Sequence, residues 1–344
     1  MKKLLNTIYV TTEGAGLRKD GENLVVEVEG VEKGRVPLHM LASVVVFGGI
    51  YVSPALMQSC AAHGVTIVLL DRGGRFQARV EGPVTGNVLL RRAQYKMSDR
   101  PEEIVKSLVI GKVSNQRSVL MRAMRDYGGE YSPEQTSALN DATRRMAQIL
   151  RNVAASSDDV DTLRGAEGEA AGLYFGVFDH LIRSPDAEFA FRGRSRRPPL
   201  DPINALLSFL YTLLTHDCRG AAETVGLDPA VGFLHRDRPG RPSLALDLME
   251  ELRPILADRL ALSLVNRRQL RAKDFETRDG GAVIMTDDAR KTVLTAWQER
   301  KKEERQHPFL EESIPLGLVP YVQAQLLARH LRGDLDAYPP WFWK

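Results

Sequence analysis

Cysteine is scarce in this chain. Its 344 residues carry two, Cys60 and Cys218, far apart and outside any CxxC spacing. That argues against a disulfide framework or a cysteine zinc site, and a reducing cytoplasm is the default compartment. No run of about 18 uninterrupted apolar residues occurs, so no membrane span is expected. The apolar stretch that follows Met1-Lys2-Lys3 is too short for the core of a signal peptide. Net charge is small, +3, so the global balance selects no partner. An apolar share of 43% and a charged share of 26% are ordinary for a soluble globular protein. Internal repeats are absent.

Charge is concentrated locally. From Leu89 to Arg125 nine Lys/Arg stand against three Asp/Glu. Arg192, Arg194, Arg196 and Arg197 form a second cluster near two prolines. Such patches suit a phosphate backbone, although a solvated, Arg-rich loop reads the same way.

The length allows two domains. The expected fold class is α+β: a small N-terminal β-rich, sandwich-like domain over 1–86, then a larger all-α domain over 87–344. Leu5 to Val10 reads as a strand. Asn23 to Glu29 alternates with period two, and the Asp20-Gly21 pair before it signals a hairpin. Ser43 to Phe47 and Val65 to Leu70 read as buried strands. Ser53 before Pro54 is a helix N-cap signal, with a short helix running to Ala62. Gly73-Gly74 turns the chain into a strand from Arg75 to Val80. Gly82-Pro83 and Gly86 mark the boundary. Beyond Asn87 the texture is helical, and Ser156 to Asp159 can cap the helix that carries Glu167. Pro202 to Thr215 is an apolar helix whose Asn204, Ser208 and Tyr211 share one face, which suits either a lined cleft or internal bonding. The compact part is expected to end near Ala296, and Lys301 to Gln306 reads as a solvated run. If any part is flexible, it is the tail from about residue 334, although exposed Trp341, Phe342 and Trp343 would be an odd solvent-facing ending.

Chemistry concentrates on Glu167, His235, Asp247 and Glu250. Glu167 lies among small residues, from Gly165 to Ala171. Asp247 and Glu250 are three apart, which puts both carboxylates on one helical face. Two like charges held together need a neutralising partner. One imidazole with two or three carboxylates is a ligand set for a divalent cation acting on phosphate esters. Oxygen ligands favour Mg²⁺ or Mn²⁺, and the imidazole tilts the choice toward Mn²⁺. Each residue alone has a plainer reading, as an exposed helical acid, a surface histidine or an acidic first turn. Glu169 and Glu251 are adjacent acids that should face away from any metal.

The motifs resemble those of the CRISPR-associated adaptation integrases, the larger of the two proteins that insert new spacers into a CRISPR array. The resemblance runs through His63 to Asp71, Gly74 to Phe76, Gly86 to Arg91, Gly111-Lys112 with Asn115-Gln116, Glu167 to Phe175, Asp201 to Tyr211, and His235 with Ser243 to Pro254. It implies metal ligands at Glu167, His235 and Glu250, with Asp247 as a second acid close to the metal. Glu250 stands where some relatives have Asp. The segment from His235 to Asp247 is Arg-rich and longer than in some relatives. Arg253 matches a basic position one turn past the last ligand.

The implied activity is a metal-dependent DNA integrase and endonuclease working by direct transesterification. A DNA 3′-hydroxyl attacks a phosphodiester of the repeat, with no covalent enzyme intermediate. Its substrates would be double-stranded DNA fragments and CRISPR repeat DNA, gripped through Arg91, Arg92, Lys112, Arg117, Arg122, Tyr211 and Arg253. The family also implies a homodimer, with the β domains in the contact, and a small ferredoxin-like adaptation partner. A branched-DNA repair nuclease and a non-catalytic DNA-binding scaffold are the competing readings.

Overall fold

A computed structural model describes residues 7–41, 43–71, 76–82, 87–155 and 159–343. The chain is α+β, β-rich at its N-terminus and helical beyond, as its patterning predicts. It divides into two compact units, Met1–Thr85 with Met285–Lys302, and Gly86–Ile284 with Glu303–Lys344.

In the first unit, β1 (Thr7–Val10), β5 (Ser43–Phe47), β7 (Thr66–Leu70) and β8 (Phe76–Val80) form one sheet in that order. The β1–β5 and β5–β7 pairs are parallel, and β8 runs antiparallel to β7. The second sheet runs β4 (Val31–Pro37), β3 (Asn23–Val28), β2 (Ala15–Asp20), β6 (Tyr51–Val52). Asp20 pairs with Asn23 across the expected hairpin turn. One apolar core draws on both sheets, with Leu17 and Leu24 from one and Val44, Val46 and Ile67 from the other. That shared core makes a sandwich of the two sheets. Helix α1 (Pro54–Ala62) closes over it through Leu56 and Cys60, and Ser53 Oγ accepts from the Leu56 N–H at 3.3 Å as its cap. Both cysteines are free and buried. The Gly73-Gly74 turn, the Pro83 and Gly86 boundary signals, and Leu5 lie outside the described residues.

The second unit is built on helices α2 (Val88–Ser98), α3 (Glu102–Tyr127), α4 (Pro133–Ala155), α5 (Val160–Gly176), α6 (Pro202–Val225), α7 (Ser243–Glu250) and α8 (Arg259–Asn266). A π-helical turn, Pro254–Asp258, joins α7 to α8. Pro254 brings no backbone N–H to that turn, which favours the wider register there. The short hairpins β9 (Phe275–Thr277) with β10 (Val283–Met285) and β11 (Glu304–Gln306) with β12 (Ser313–Pro315) flank helix α9 (Asp287–Lys302) in sequence. Helix α10 (Val319–Leu331) packs on α6.

Helix α6 outruns the expected Thr215, and the compact part does not stop at Ala296. Lys301 is buried, whereas Glu304 to Gln306 are exposed as the charged run predicts. The tail is folded in: Tyr338, Trp341 and Trp343 are all buried on the chain itself. Among the described residues no helix is long and apolar enough to cross a membrane.

Candidate active site

Four elements of the helical unit deliver the site. Helix α5 is capped by Asp159, whose Oδ1 accepts from the Asp161 and Thr162 N–H groups at 2.8 and 2.9 Å. The other expected cap residues, Ser156 to Asp158, lie outside the described residues. Two turns into α5 stands Glu167, whose side chain is 24% exposed. Helix α3 contributes Lys112, only 5% exposed. Helix α7 contributes Asp247 and Glu250 on one face, and His235 comes from the loop before it.

Asp247 is fully buried and acts as the receptor for that loop. Its Oδ2 accepts from the Phe233 and Leu234 N–H groups at 2.6 and 3.1 Å. Its Oδ1 accepts from the His235 N–H at 2.9 Å and from the imidazole Nδ1 at 2.7 Å. Gly232 is needed for this wrap, because a Cβ there would stand 2.8 Å from Ser243 Cβ and 2.9 Å from Asp247 Oδ2. Pairing with a carboxylate puts the imidazole proton on Nδ1 and leaves Nε2 with a free lone pair. That Nε2 lies 3.7 Å from Glu250 Oε1.

Glu250 is 3% exposed and faces cations. Arg253 Nη2 is 2.8 Å from its Oε1, and Lys112 Nζ is 2.6 Å from its Oε2. The same Lys112 ammonium bonds Glu167 Oε1. Burial alone would raise the Glu250 carboxyl; Arg253, then Lys112 outweigh it and hold the group well below the ordinary glutamate range.

The carboxylates of Glu167 and Glu250, 83 residues apart in sequence, thus converge on one positive centre. As the side chains stand, that centre is an ammonium. Among the described residues no three His, Cys, Asp or Glu side chains form a closed cage for an ion. The donor chemistry nevertheless fits a divalent cation: two carboxylates already share a cation, and an imidazole nitrogen stands 3.7 Å from one of them.

A second polar cluster lies next to Arg253. The guanidinium groups of Arg253 and Arg194 stand 4.6 and 5.1 Å from the Tyr211 ring centroid. Tyr211 donates to buried Asp258 Oδ1 at 2.6 Å, and Tyr174 donates to its Oδ2 at 3.1 Å. Burial pushes the Asp258 carboxyl up to about 6, although Tyr211, Arg253 and Tyr174 partly offset it.

The sequence-predicted residues therefore separate into groups. Glu167, His235, Asp247 and Glu250 are brought together. Lys112, Arg253 and Tyr211, named as DNA contacts, sit in or beside that cluster. Arg91 is half-buried and Arg92 exposed on α2. Arg117 Nε donates to Thr143 O at 3.1 Å, and Arg122 Nε bonds Asp126 at 3.1 Å. Asn204 is bonded internally, accepting from the Ser195 N–H at 3.1 Å and donating to Gly193 O at 2.7 Å. Of the decoys, Glu169 pairs with Arg145 at 3.1 Å and Glu251 is buried away from the cations. Sequence reasoning missed Lys112 as the bridge between the acids, and it missed Asp258 and Arg194. The Gly111-Lys112 and Asn115-Gln116 spacing, one face of α3, was the available signal.

Fold and site together define a two-unit α+β protein with an acidic, histidine-bearing site in its helical unit. The model of the CRISPR associated protein Cas1 family matches residues 8–299, and the chain belongs to that family. The CRISPR-associated endonuclease Cas1 2 of Rhodospirillum rubrum is 80% identical over 344 residues, covering all of both chains. Among solved structures, a casposase bound to integration product superposes with a TM-score of 0.82 at 20% identity, covering 97% of this chain and 93% of that one. A chain of a Cas6-RT-Cas1–Cas2 complex gives 0.81 at 24% identity, covering 98% of this chain and 36% of that one. At these identities the structural likeness speaks to the fold.

Proposed function

We propose that the chain is a metal-dependent DNA endonuclease and integrase that joins fragment 3′-ends to the repeats of a CRISPR array. The observation that carries this reading is the meeting of Glu167 and Glu250 on one cationic centre, with the imidazole Nε2 of His235 3.7 Å from Glu250. The 80%-identical relative named an endonuclease supports nuclease chemistry. The likeness to a casposase bound to integration product is consistent with strand joining.

Glu167, His235 and Glu250 would hold the ion, Mg²⁺ or Mn²⁺. Such an ion, when bound, polarises a phosphoryl oxygen and offsets transition-state charge. The chain's own groups supply the rest. Asp247 keeps the proton on His235 Nδ1, so that Nε2 stays a lone-pair donor. Arg253 holds Glu250 from one side, and its cation is available to a phosphate one turn past that ligand. Lys112 shares its charge between the two acids and would have to yield that place to an ion. In the joining step the incoming 3′-oxygen forms its bond to phosphorus as the repeat strand's own P–O bond breaks. Water in place of the hydroxyl gives cleavage. Arg91, Arg92, Arg117 and Arg122 are read as backbone contacts, which would make binding salt-dependent.

A homodimer, with the β-rich unit in the contact, and a small ferredoxin-like adaptation partner complete the reading. The partner is supported by the likeness to a chain found with Cas2. His235→Ala tests the core claim. Strand joining in Mn²⁺ should vanish while DNA binding persists; retained joining overturns the reading. A non-catalytic scaffold would instead tolerate Glu167→Gln without loss, and a repair nuclease would show no preference for array DNA when the partner is added.

A further inference from the structure

Helices α3 and α7 carry Lys112 and Glu250, and the chain's last residues are built into their junction. Glu251, next to Glu250, is fully buried. Its Oε1 accepts from the Tyr338 hydroxyl at 2.5 Å and from Gln323 Nε2 at 2.8 Å. Its Oε2 accepts from the Trp341 N–H at 2.7 Å. Its backbone carbonyl accepts from Asn115 Nδ2 at 2.7 Å. The same Nδ2 donates to Trp341 O at 2.9 Å, and Asn115 Oδ1 accepts from the Trp343 N–H at 2.8 Å. Asn115 lies one helical turn past Lys112.

Gly111 lets these parts meet. A Cβ there would stand 2.8 Å from Pro340 Cβ and 3.1 Å from Glu251 Cβ. Such approaches are closer than packed carbon atoms tolerate, so only bare backbone at 111 admits both the tail and α7. Trp343 closes the end, with the Arg259 guanidinium 3.9 Å from its ring centroid. An apolar plug could bury the same aromatic rings. This tail instead spends directional hydrogen bonds on the residue following Glu250 and on the residue one turn from Lys112.

We propose that Tyr338–Trp343 is a positioning latch: by tying Glu251 and Asn115 together it holds α3 against α7 and sets the approach of Lys112 and the acids it bridges. Tyr338 and Trp341 are thus positioning residues for the ligand set. The latch rests on the function proposed above, because the ligand set matters only if those acids hold an ion.

Tyr338→Phe keeps the ring and removes one hydroxyl, so it tests position with little change in packing. In the full-length chain, the quantities to measure are Mn²⁺ binding by calorimetry, DNA binding by anisotropy, strand joining with the partner, and the thermal midpoint. Displacing a ligand by a fraction of an ångström should lower kcat about tenfold. Mn²⁺ affinity should weaken by roughly the tenfold or more typical of groups that orient metal ligands. KM for DNA should stay within about twofold, since binding energy common to both states is untouched. Unchanged Mn²⁺ affinity and kcat overturn the latch. So does a kcat loss matched by an equal loss of folded protein. A parent chain that binds Mn²⁺ yet joins and cleaves no DNA overturns the proposed function instead, and the Mn²⁺ affinities of parent and variant still decide the latch.

Discussion

Glu250 and Glu251 are neighbours in sequence and equally hidden from water, yet they occupy opposite electrostatic worlds. Glu250 faces Arg253 and Lys112, and those cations outweigh burial to hold its carboxyl well below the ordinary range. Burial dominates at Glu251 and pushes it up to about 7, because only the neutral donors Tyr338, Gln323 and the Trp341 N–H oppose it. A buried carboxyl is tolerated in either way, by cations or by hydrogen-bond donors alone. The first arrangement keeps a negative ligand ready. The second makes a structural acceptor that holds one part of the chain to another. A single helical step of about 100° separates the reactive face of α7 from its architectural face.

The sharpest way to break this contrast is to neutralise each acid in turn. Glu250→Gln should cost several kcal/mol of transition-state stabilisation, on the order of 10³-fold in strand joining. Glu251→Gln leaves charge at the site unchanged but sets an amide against existing donors, at about 1–3 kcal/mol of stability. Its folded fraction should join DNA at rates far closer to the parent's. Equal loss from both substitutions in a single-turnover assay would erase the distinction between the faces.

Asp247→Asn probes the loop that brings His235 to Glu250. The amide cannot accept from three N–H groups and the imidazole as a carboxylate does. Activity and Mn²⁺ affinity should fall about 10–100-fold, with DNA binding retained in an anisotropy titration. Lys112→Met addresses the shared cation. It removes the cation between Glu167 and Glu250 and leaves Glu250 with Arg253 alone, which should destabilise the chain by at most about 3–5 kcal/mol. Mn²⁺ should restore more of the thermal midpoint in this variant than in the parent. A midpoint equally insensitive to Mn²⁺ in both would mean that ion and ammonium do not share a place.

Much of this architecture is legible in the residue pattern. Period-two alternation marks β3, β-branched runs mark β5 and β7, and Ser53-Pro54 marks the start of α1. Glu167, His235, Asp247 and Glu250 are readable because each chemical type sits in a segment suited to hold it. Partnership between distant segments is not readable in the same way. Lys112 reads as one more cation in a basic stretch, and only the packing of α3 against α5 and α7 turns it into the bridge between two acids. Asn115 bonds residues 136 and 226 positions away. The aromatic ending looks like an exposed liability until Glu251 and Asn115 are seen beneath it. Asp258 escapes notice because the π-helical turn after Arg253 shifts the face on which it emerges.

The finest test of burial that nearby cations only partly offset is Asp258. Burial pushes its carboxyl up to about 6 in the folded chain, against an ordinary 3.8. A raised folded value means that the native state holds a proton the unfolded state has already lost between about pH 4 and pH 6. Stability from this group is therefore undiminished below that window and falls as pH rises through it. A shift of about two units bounds the loss at about 3 kcal/mol. Asp258→Asn removes the titration. Relative to the parent, the variant should gain stability between pH 4 and pH 7 by up to that amount, measured as the difference in urea unfolding free energy at the two values. A difference independent of pH would mean that Tyr211, Tyr174 and Arg253 already compensate the Asp258 charge as fully as the cations do at Glu250.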